Sequence, residues 1–304
     1  MIIPYLTQAN SPFLSKNNTG LGNALFQIFT AYGISKKFNI PFNNYYIIEL
    51  LIKLKSFNLN HRNTIFRNLQ TFSPLNNNTI TLNEKTNYYS LYDKELINKI
   101  HNIYNKKDII IKGYFQSHIY FDNYYNDILK LISPDSNSIN IIKTTYPHLF
   151  NDSVINISLH FRLNWCKNLQ YNNNFYFEAV NYITAMIKDI KSKKIILNIF
   201  GDDISKIKKL FYHESFECIY FENNPDYIDL WCMSLCKFNI ISNSTLSWWA
   251  AYINTNKDKI VIYPEDILRL LHATIHDKPM LPERKIQHYK PEWVPLKTKN
   301  VIFQ

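Results

Sequence analysis

The sequence predicts an α/β protein whose second half is a parallel, doubly wound sheet. Three observations carry this. Between residues 154 and 263 short apolar runs alternate with segments of helical periodicity, the pattern of successive strand, helix and strand units. Polar side chains recur immediately after those runs, where the carboxyl ends of parallel strands hold ligands. Only five of 304 residues are glycine, far below the roughly 7% of ordinary chains. Two of those five, Gly20 and Gly22, share one turn ahead of a helical stripe.

In chain order, Gly20-Leu21-Gly22-Asn23 opens a helix running to Phe38, with Leu25, Phe29 and Tyr32 on one stripe. Such a turn can set backbone N–H groups and the Asn23 side chain against a phosphate or a sugar hydroxyl. A tight loop with no ligand explains the same residues equally well. The rare glycines suggest positions of positive φ or close approach, with Gly33 incidental among them. Residues 76–87, rich in Asn, read as a surface loop. The run 109–115 is the best strand of the first half, and Gln116, Ser117 and His118 at its end can face a cleft. Ser, Pro and Asn residues across 133–147 place a boundary, which gives an N-terminal lobe at 1–150 and a C-terminal lobe at 151–304.

In the second half, strands are predicted at 154–161, 194–200, 218–221, 238–242 and 259–263. Helices are predicted at 175–190, 205–212, 227–236 and 245–253. His160 and Arg162 follow the first strand, Gly201, Asp202 and Asp203 the second, and Ser242, Asn243, Ser244 and Thr245 the fourth. Arg162 offers a forked donor set suited to a diphosphate. The hydroxyls of Ser244 and Thr245 are natural caps whose neighbouring N–H groups can meet phosphate. Asp202 and Asp203 can accept from a base or hold a ribose, and capping of a helix start accounts for them as well.

Composition excludes several classes. With 46% hydrophobic and 19% charged residues, the chain is not of the disordered type. No uncharged apolar run approaches the roughly 20 residues of a spanning helix, and the first residues lack a secretion signal, so a soluble, cytoplasmic protein is expected. The 34 Lys and Arg against 24 Asp and Glu give a net charge of +10. These cations are scattered in Asn-, Ile- and Tyr-rich segments, as in AT-rich coding sequences, and form no compact basic helix, so no nucleic-acid partner is expected. Cys166, Cys218, Cys232 and Cys236 show no C-x-x-C spacing, which fits a reducing compartment, and the last pair reads as two buried thiols on one helix face. His272 and His276, four apart without a third ligand, read as structural, and no metal is expected.

Thr19-Gly20-Leu21-Gly22-Asn23-Ala24-Leu25-Phe26-Gln27 resembles the G-G-L-G-N-Q-M-F-Q signature of the alpha-1,2-fucosyltransferases, the eleventh glycosyltransferase family. Gly113-Tyr114-Phe115-Gln116-Ser117 is similar to that family's G-Y-[FW]-Q-S stretch. Met233-Ser234-Leu235-Cys236-Lys237 and Asn239-Ile240-Ile241-Ser242-Asn243-Ser244-Thr245-Leu246-Ser247-Trp248-Trp249 resemble its M-S-L-C-K-H-N-I-I-[AS]-N-S-T-F-S-W-W block. Its H-x-R-R-x-D motif falls on residues 160–165, where only His160 and Arg162 match. Leu163, Asn164 and Trp165 replace the rest, so a donor contact is missing or supplied elsewhere. Residues 7–18 also separate Leu6 from the glycine loop, which in the family follows its first strand almost directly.

The resemblance implies a GT-B enzyme of two Rossmann-like lobes, with the donor in the C-terminal lobe and an acceptor cleft between lobes. It implies inverting transfer of L-fucose from GDP-fucose to the 2-hydroxyl of a galactoside; no D-x-D motif occurs in the sequence, so metal independence is expected, and no cofactor. The partners are then a GDP-sugar and a galactose-containing glycan, with peripheral membrane contact where acceptors are lipid-linked. Arg162, with His160 beside it, is the expected catalytic centre. Gly20, Gly22, Asn23, Asp202, Asp203, Asn243, Ser244 and Thr245 are expected on the donor. Gln116 and His118 are expected on the acceptor side. His118 and His160 are both candidates for the base. Two further readings follow from the altered motif: a transferase of another GDP-sugar, and a silent nucleotide- or glycan-binding homologue.

Overall fold

The computed structural model describes residues 1–6, 20–44, 57–69, 78–85, 91–163, 174–187, 193–265 and 287–297. By its contacts the chain divides into Met1–Asp135 with Leu281–Pro291, and Ser136–Met280 with Glu292–Gln304. The helix at Ser136–Thr145 and the turn at Pro147–Phe150 thus group with the second unit.

The first unit holds a parallel three-stranded sheet where the sequence offers one good strand. Strands β1 (Ile2–Tyr5), β2 (Thr79–Asn83) and β3 (Asp108–Lys112) lie in the order β1-β3-β2. β2 falls inside the Asn-rich stretch expected to be a loop; it is an edge strand whose residues are half-buried or exposed, so it lacks the apolar run of a central strand. Helix α1 (Leu21–Phe38) packs on this sheet and ends at Asn39, which adopts a left-handed φ of 52°. Helices α2 (Leu59–Asn63), α3 (Lys94–Ile103) and α4 (Tyr125–Leu131) also lie in the unit.

Two expectations about glycine change. Among the described residues no glycine has positive φ; that conformation falls to Asn39, Phe115 and Asn223. Gly33 is not incidental, because a Cβ there would lie 2.1 Å from the Tyr120 carbonyl oxygen.

The second unit is a six-stranded parallel sheet. Its strands are β4 (Val154–Phe161), β5 (Lys194–Gly201), β6 (Glu217–Tyr220), β7 (Phe238–Ile240), β8 (Val261–Pro264) and β9 (Val294–Leu296). They lie in the order β6-β5-β4-β7-β8-β9. Counted from β4 this is 3-2-1-4-5-6, the dinucleotide-fold order, which reverses between its first and fourth strands. β9 has no counterpart among the predicted strands. β8 runs through Pro264, where the prediction stopped at Tyr263; its lateness in the strand costs little in pairing.

β4 is buried on both faces. Ile155, Ile157, Leu159 and Phe161 pack against α6 (Asn174–Met186) through Phe175, Tyr176, Ala179 and Val180, with Phe161 stacked on Tyr176 at 3.7 Å. α5 (Ser136–Thr145) precedes β4, and α7 (Ile204–Leu210) follows β5. The alternate residues Asn156, Ser158 and His160 are polar and buried. Asn198 donates to Asn156 at 3.0 Å and accepts from His148 at 2.7 Å. Asn239 donates to Ser158 at 2.8 Å and accepts from Asn254 at 2.7 Å. Helices α8 (Asp226–Leu235) and α9 (Thr245–Ile253) bury Trp231, Trp248 and Trp249. Cys232 and Cys236 are buried and a turn apart, with the Cys236 thiol donating to the Cys232 carbonyl.

Candidate functional site

The strand order reverses between β4 and β7, and in a doubly wound sheet the gap outside the carboxyl ends at such a reversal is where ligands bind. The sequence places His160 and Arg162 on one side of this gap and Ser242 to Thr245 on the other. His160 Nδ1 and Ser242 Oγ share a hydrogen bond of 2.7 Å across it. The Tyr176 hydroxyl donates to the His160 carbonyl at 2.9 Å. Burial, and then the neighbouring Arg162 guanidinium, drive the His160 imidazole down to about 3 against the opposing pull of Asp202. The ring is therefore neutral at ordinary pH, a tie across the gap and a weak proton acceptor.

Arg162 pairs with Asp202 at 3.2 Å, and its side chain remains 36% exposed. Asp202 also accepts from the Leu163 backbone at 2.8 Å, so its two oxygens orient both the guanidinium and the chain behind it. An arginine fixed on one side by a carboxylate still has donors to offer a second anion. Asp203 accepts from Lys206 N at 3.0 Å and caps α7, so the acidic pair divides into an arginine partner and a helix cap. Gly201 is required by packing, since a Cβ would lie 2.8 Å from the Phe161 carbonyl oxygen.

At α9 the capping expectation changes. Ser244 occupies the N-cap with extended backbone, and its side chain makes no capping bond; its carbonyl accepts from Trp248 N and the Ser247 hydroxyl. A nine-residue helix that starts without a side-chain cap presents N–H donors and the positive end of its dipole. Asn243 sits just before it, with its side-chain nitrogen buried. Asn164 and Trp165 lie outside the described residues, as do Thr19, Cys166, His272 and His276.

The remaining predicted residues gather in the first unit, at the carboxyl end of its sheet. Gly20 is the exposed N-cap of α1, without a side-chain cap, and among the described residues a Cβ there would meet nothing within 4 Å. Its carbonyl accepts from Asn23 N and Ala24 N. Gly22 is buried in the first turn. Gln116 donates to the Asn23 side chain at 3.0 Å, which joins two predicted residues 93 positions apart. His118 is 7% exposed and lies 3.7 Å from Asp122. Burial works to raise the Asp122 carboxyl, but contacts from His118 and Lys290 outweigh it and hold it well below the usual carboxylate range. His288 donates to the Gln116 carbonyl at 2.9 Å, and burial lowers its imidazole to about 4.

Sequence reasoning missed Glu84, Asp122, His288 and Lys290. Glu84 is 4% exposed and accepts from Tyr114 N at 2.8 Å and from Phe115 N at 3.1 Å. Its signal was its place just after a strand, hidden because that strand read as loop.

A doubly wound parallel sheet whose order reverses between β4 and β7, with an oriented arginine and an uncapped helix start at that reversal, defines a protein of the Rossmann class. The chain belongs to glycosyl transferase family 11, whose profile matches residues 16–297, and is a glycosyltransferase. The O-antigen biosynthesis glycosyltransferase WbnK of Escherichia coli is 25% identical over 283 residues, covering 81% of this chain and 91% of that one. An alpha-1,2-colitosyltransferase of Escherichia coli is 23% identical over 264 residues, covering 81% and 88%. Solved structures resemble it at low identity. Fucosyltransferase NodZ from Bradyrhizobium is 12% identical with a TM-score of 0.47, covering 82% of this chain and 92% of that one. A variant of Arabidopsis thaliana FUT1 in complex with GDP is 9% identical with a TM-score of 0.48, covering 86% and 70%. Among the described residues no helix is long and apolar enough to cross a membrane.

Proposed function

We propose that the chain is an inverting, metal-independent transferase that moves L-fucose from GDP-fucose to the 2-hydroxyl of a galactoside. The observation that carries this reading is Arg162, fixed by Asp202 beside the β4–β7 gap. Family membership supports the class of reaction. In the proposed step the acceptor oxygen forms a bond to the sugar C1 as the bond from C1 to the diphosphate oxygen breaks, and the hydroxyl proton passes to His118 or to solvent water. Negative charge collects on the departing GDP. Arg162, with the N–H groups that open α9 near Ser244 and Thr245, stabilises that charge, a role metals play in other transferases. Asn243, Asp202 and Asp203 flank the nucleotide in this reading, with His160 bracing the pocket wall. Gly20, Gly22 and Asn23 serve the donor's distal phosphate or sugar, and Gln116 and His118 the acceptor.

Thermal unfolding with GDP, UDP, dTDP and CMP tests the nucleotide. Ligand at 100 times Kd stabilises by about 2.7 kcal/mol; GDP alone should do so, and Arg162→Ala should abolish the effect. Undiminished turnover of GDP-fucose after EDTA treatment is expected, and loss restored by manganese would refute metal independence. A second reading, transfer of another GDP-linked sugar, is favoured by the relative named as a colitosyltransferase. Side-by-side turnover of GDP-fucose and GDP-mannose on a galactoside separates the two, and GDP binding without any turnover would indicate a silent homologue.

A further inference from the structure

Glu84 immediately follows β2, beside the end of β3, with Glu84 N donating to the Lys112 carbonyl at 2.8 Å. A buried carboxylate is costly unless hydrogen bonds replace its water. Here both oxygens face two consecutive backbone donors: Oε2 accepts from Tyr114 N at 2.8 Å, and Phe115 N reaches Oε2 at 3.1 Å and Oε1 at 3.2 Å. Gly113 makes the grip sterically feasible, because a Cβ there would lie 2.4 Å from Glu84 Cβ and 2.5 Å from Oε2.

The residue held this way is strained. Phe115 has φ of 51°, a left-handed conformation that a bulky side chain rarely adopts. Such strain persists where surroundings over-determine it, and it collects at functional sites. Two restraints act on Phe115: the carboxylate on its amide, and a fully buried ring set edge-on to Tyr120 at 5.7 Å. Gln27 adds a third on the loop, donating to the Gly113 carbonyl at 2.9 Å. The turn at Phe115 directs the next residue, so that the Gln116 side chain meets Asn23 and its carbonyl meets His288.

We propose that Glu84 is a positioning residue for the transfer reaction: it locks the 113–117 loop in its strained form and thereby sets Gln116 against Asn23. The inference rests on the transferase reading above, and Glu84 acts through the backbone without touching substrate.

Full-length Glu84→Ala and Glu84→Gln are assayed with GDP-fucose and lactose, well below their melting temperatures, alongside hydrogen exchange at Tyr114 and Phe115. A misplacement of about 1 Å at a reacting site costs about 100-fold, so Glu84→Ala should lose roughly 10- to 100-fold in kcat/KM. GDP affinity should change far less. Glu84→Gln retains one acceptor oxygen and should recover much of the loss, a rescue that a merely structural role would not produce at temperatures where both variants are folded. Folded Glu84→Ala with kcat/KM within about twofold of wild type would overturn the inference, as would rates equal in the two variants. Should Glu84→Ala not fold, hydrogen exchange in Glu84→Gln decides: amides 114 and 115 should lose protection relative to wild type, and protection equal to wild type would overturn the anchoring. Should wild type transfer no fucose to lactose, the proposed donor and acceptor fail and exchange alone decides. In that case amides at 114 and 115 should exchange about 100-fold faster in the alanine variant, and unchanged protection would refute the anchoring.

Discussion

Gly33→Ala separates helix propensity from packing, because the two predict opposite signs. Alanine in a helix interior is favoured over glycine by about 1 kcal/mol, so α1 taken alone would gain from the substitution. In the fold, a Cβ at 33 would sit 2.1 Å from the Tyr120 oxygen and 3.0 Å from Phe121 Cα. Both are backbone atoms that cannot swing aside as a side chain can. Ordinary contact distances of roughly 3.5 Å then require α1 and the 120–121 segment to part by about 1 Å. Overpacking of this kind costs about 1–3 kcal/mol, and a backbone clash belongs at the upper end. Subtracting the propensity gain leaves a net loss of about 2 kcal/mol. At about 2–4 °C per kcal/mol for a chain of this order, the expected fall in Tm is roughly 4–8 °C. Calorimetry of wild type and variant measures it, and a Tm unchanged or raised would refute the close approach.

Three further outcomes are expected. Gly20→Ala meets no atom within 4 Å among the described residues and should cost at most about 1 kcal/mol as a lost cap, yet lower kcat/KM by about tenfold or more; unchanged kinetics would remove the loop from the site. Arg162→Ala should lose about 100- to 1000-fold in kcat, the usual consequence of deleting a charge-stabilising donor, and near-normal turnover would refute its role. Asp229 is held by Asn224 at 2.9 Å, and burial pushes its carboxyl up from 3.8 to about 7. The folded state therefore holds a proton that the unfolded chain releases, and stability should fall as pH rises from about 4 through 7, by up to roughly 4 kcal/mol. Asp229→Asn should flatten that slope in melts from pH 4 to 8, and an unchanged slope would refute it.

The second unit was legible because its strands are buried on both faces and read as apolar runs, as in residues 154–161, with helical periodicity between them. β1 was not, because four residues including Pro4 carry too little pattern. β2 was not, because its apolar face is only Ile80 and Leu82, half-buried and set within an Asn-rich segment. The switch-point residues His160, Arg162 and Ser242 could be named in advance, since position after a strand is itself a signal. Their pairings could not: nothing local distinguishes Asp202, which holds Arg162, from Asp203, which caps a helix. Glutamate beside Lys85 looks like solvated surface, and only the close approach at Gly113 reveals Glu84 as buried. Gly33 did carry a signal, its rarity in so glycine-poor a chain.

The buried amides of the second unit bear on how this sequence can drift. Asn239 touches Ser158, Asn254 and the Met233 carbonyl at once, and Asn198 links Asn156 to His148. Replacing Asn198 by an apolar residue takes the donor from Asn156 Oδ1 and the acceptor from His148 Nε2, a larger penalty than exchanging both ends together. Viable substitutions along this ladder should therefore arrive in matched pairs. An abundance of asparagine that resembles codon bias thus includes positions where single-step mutation is closed.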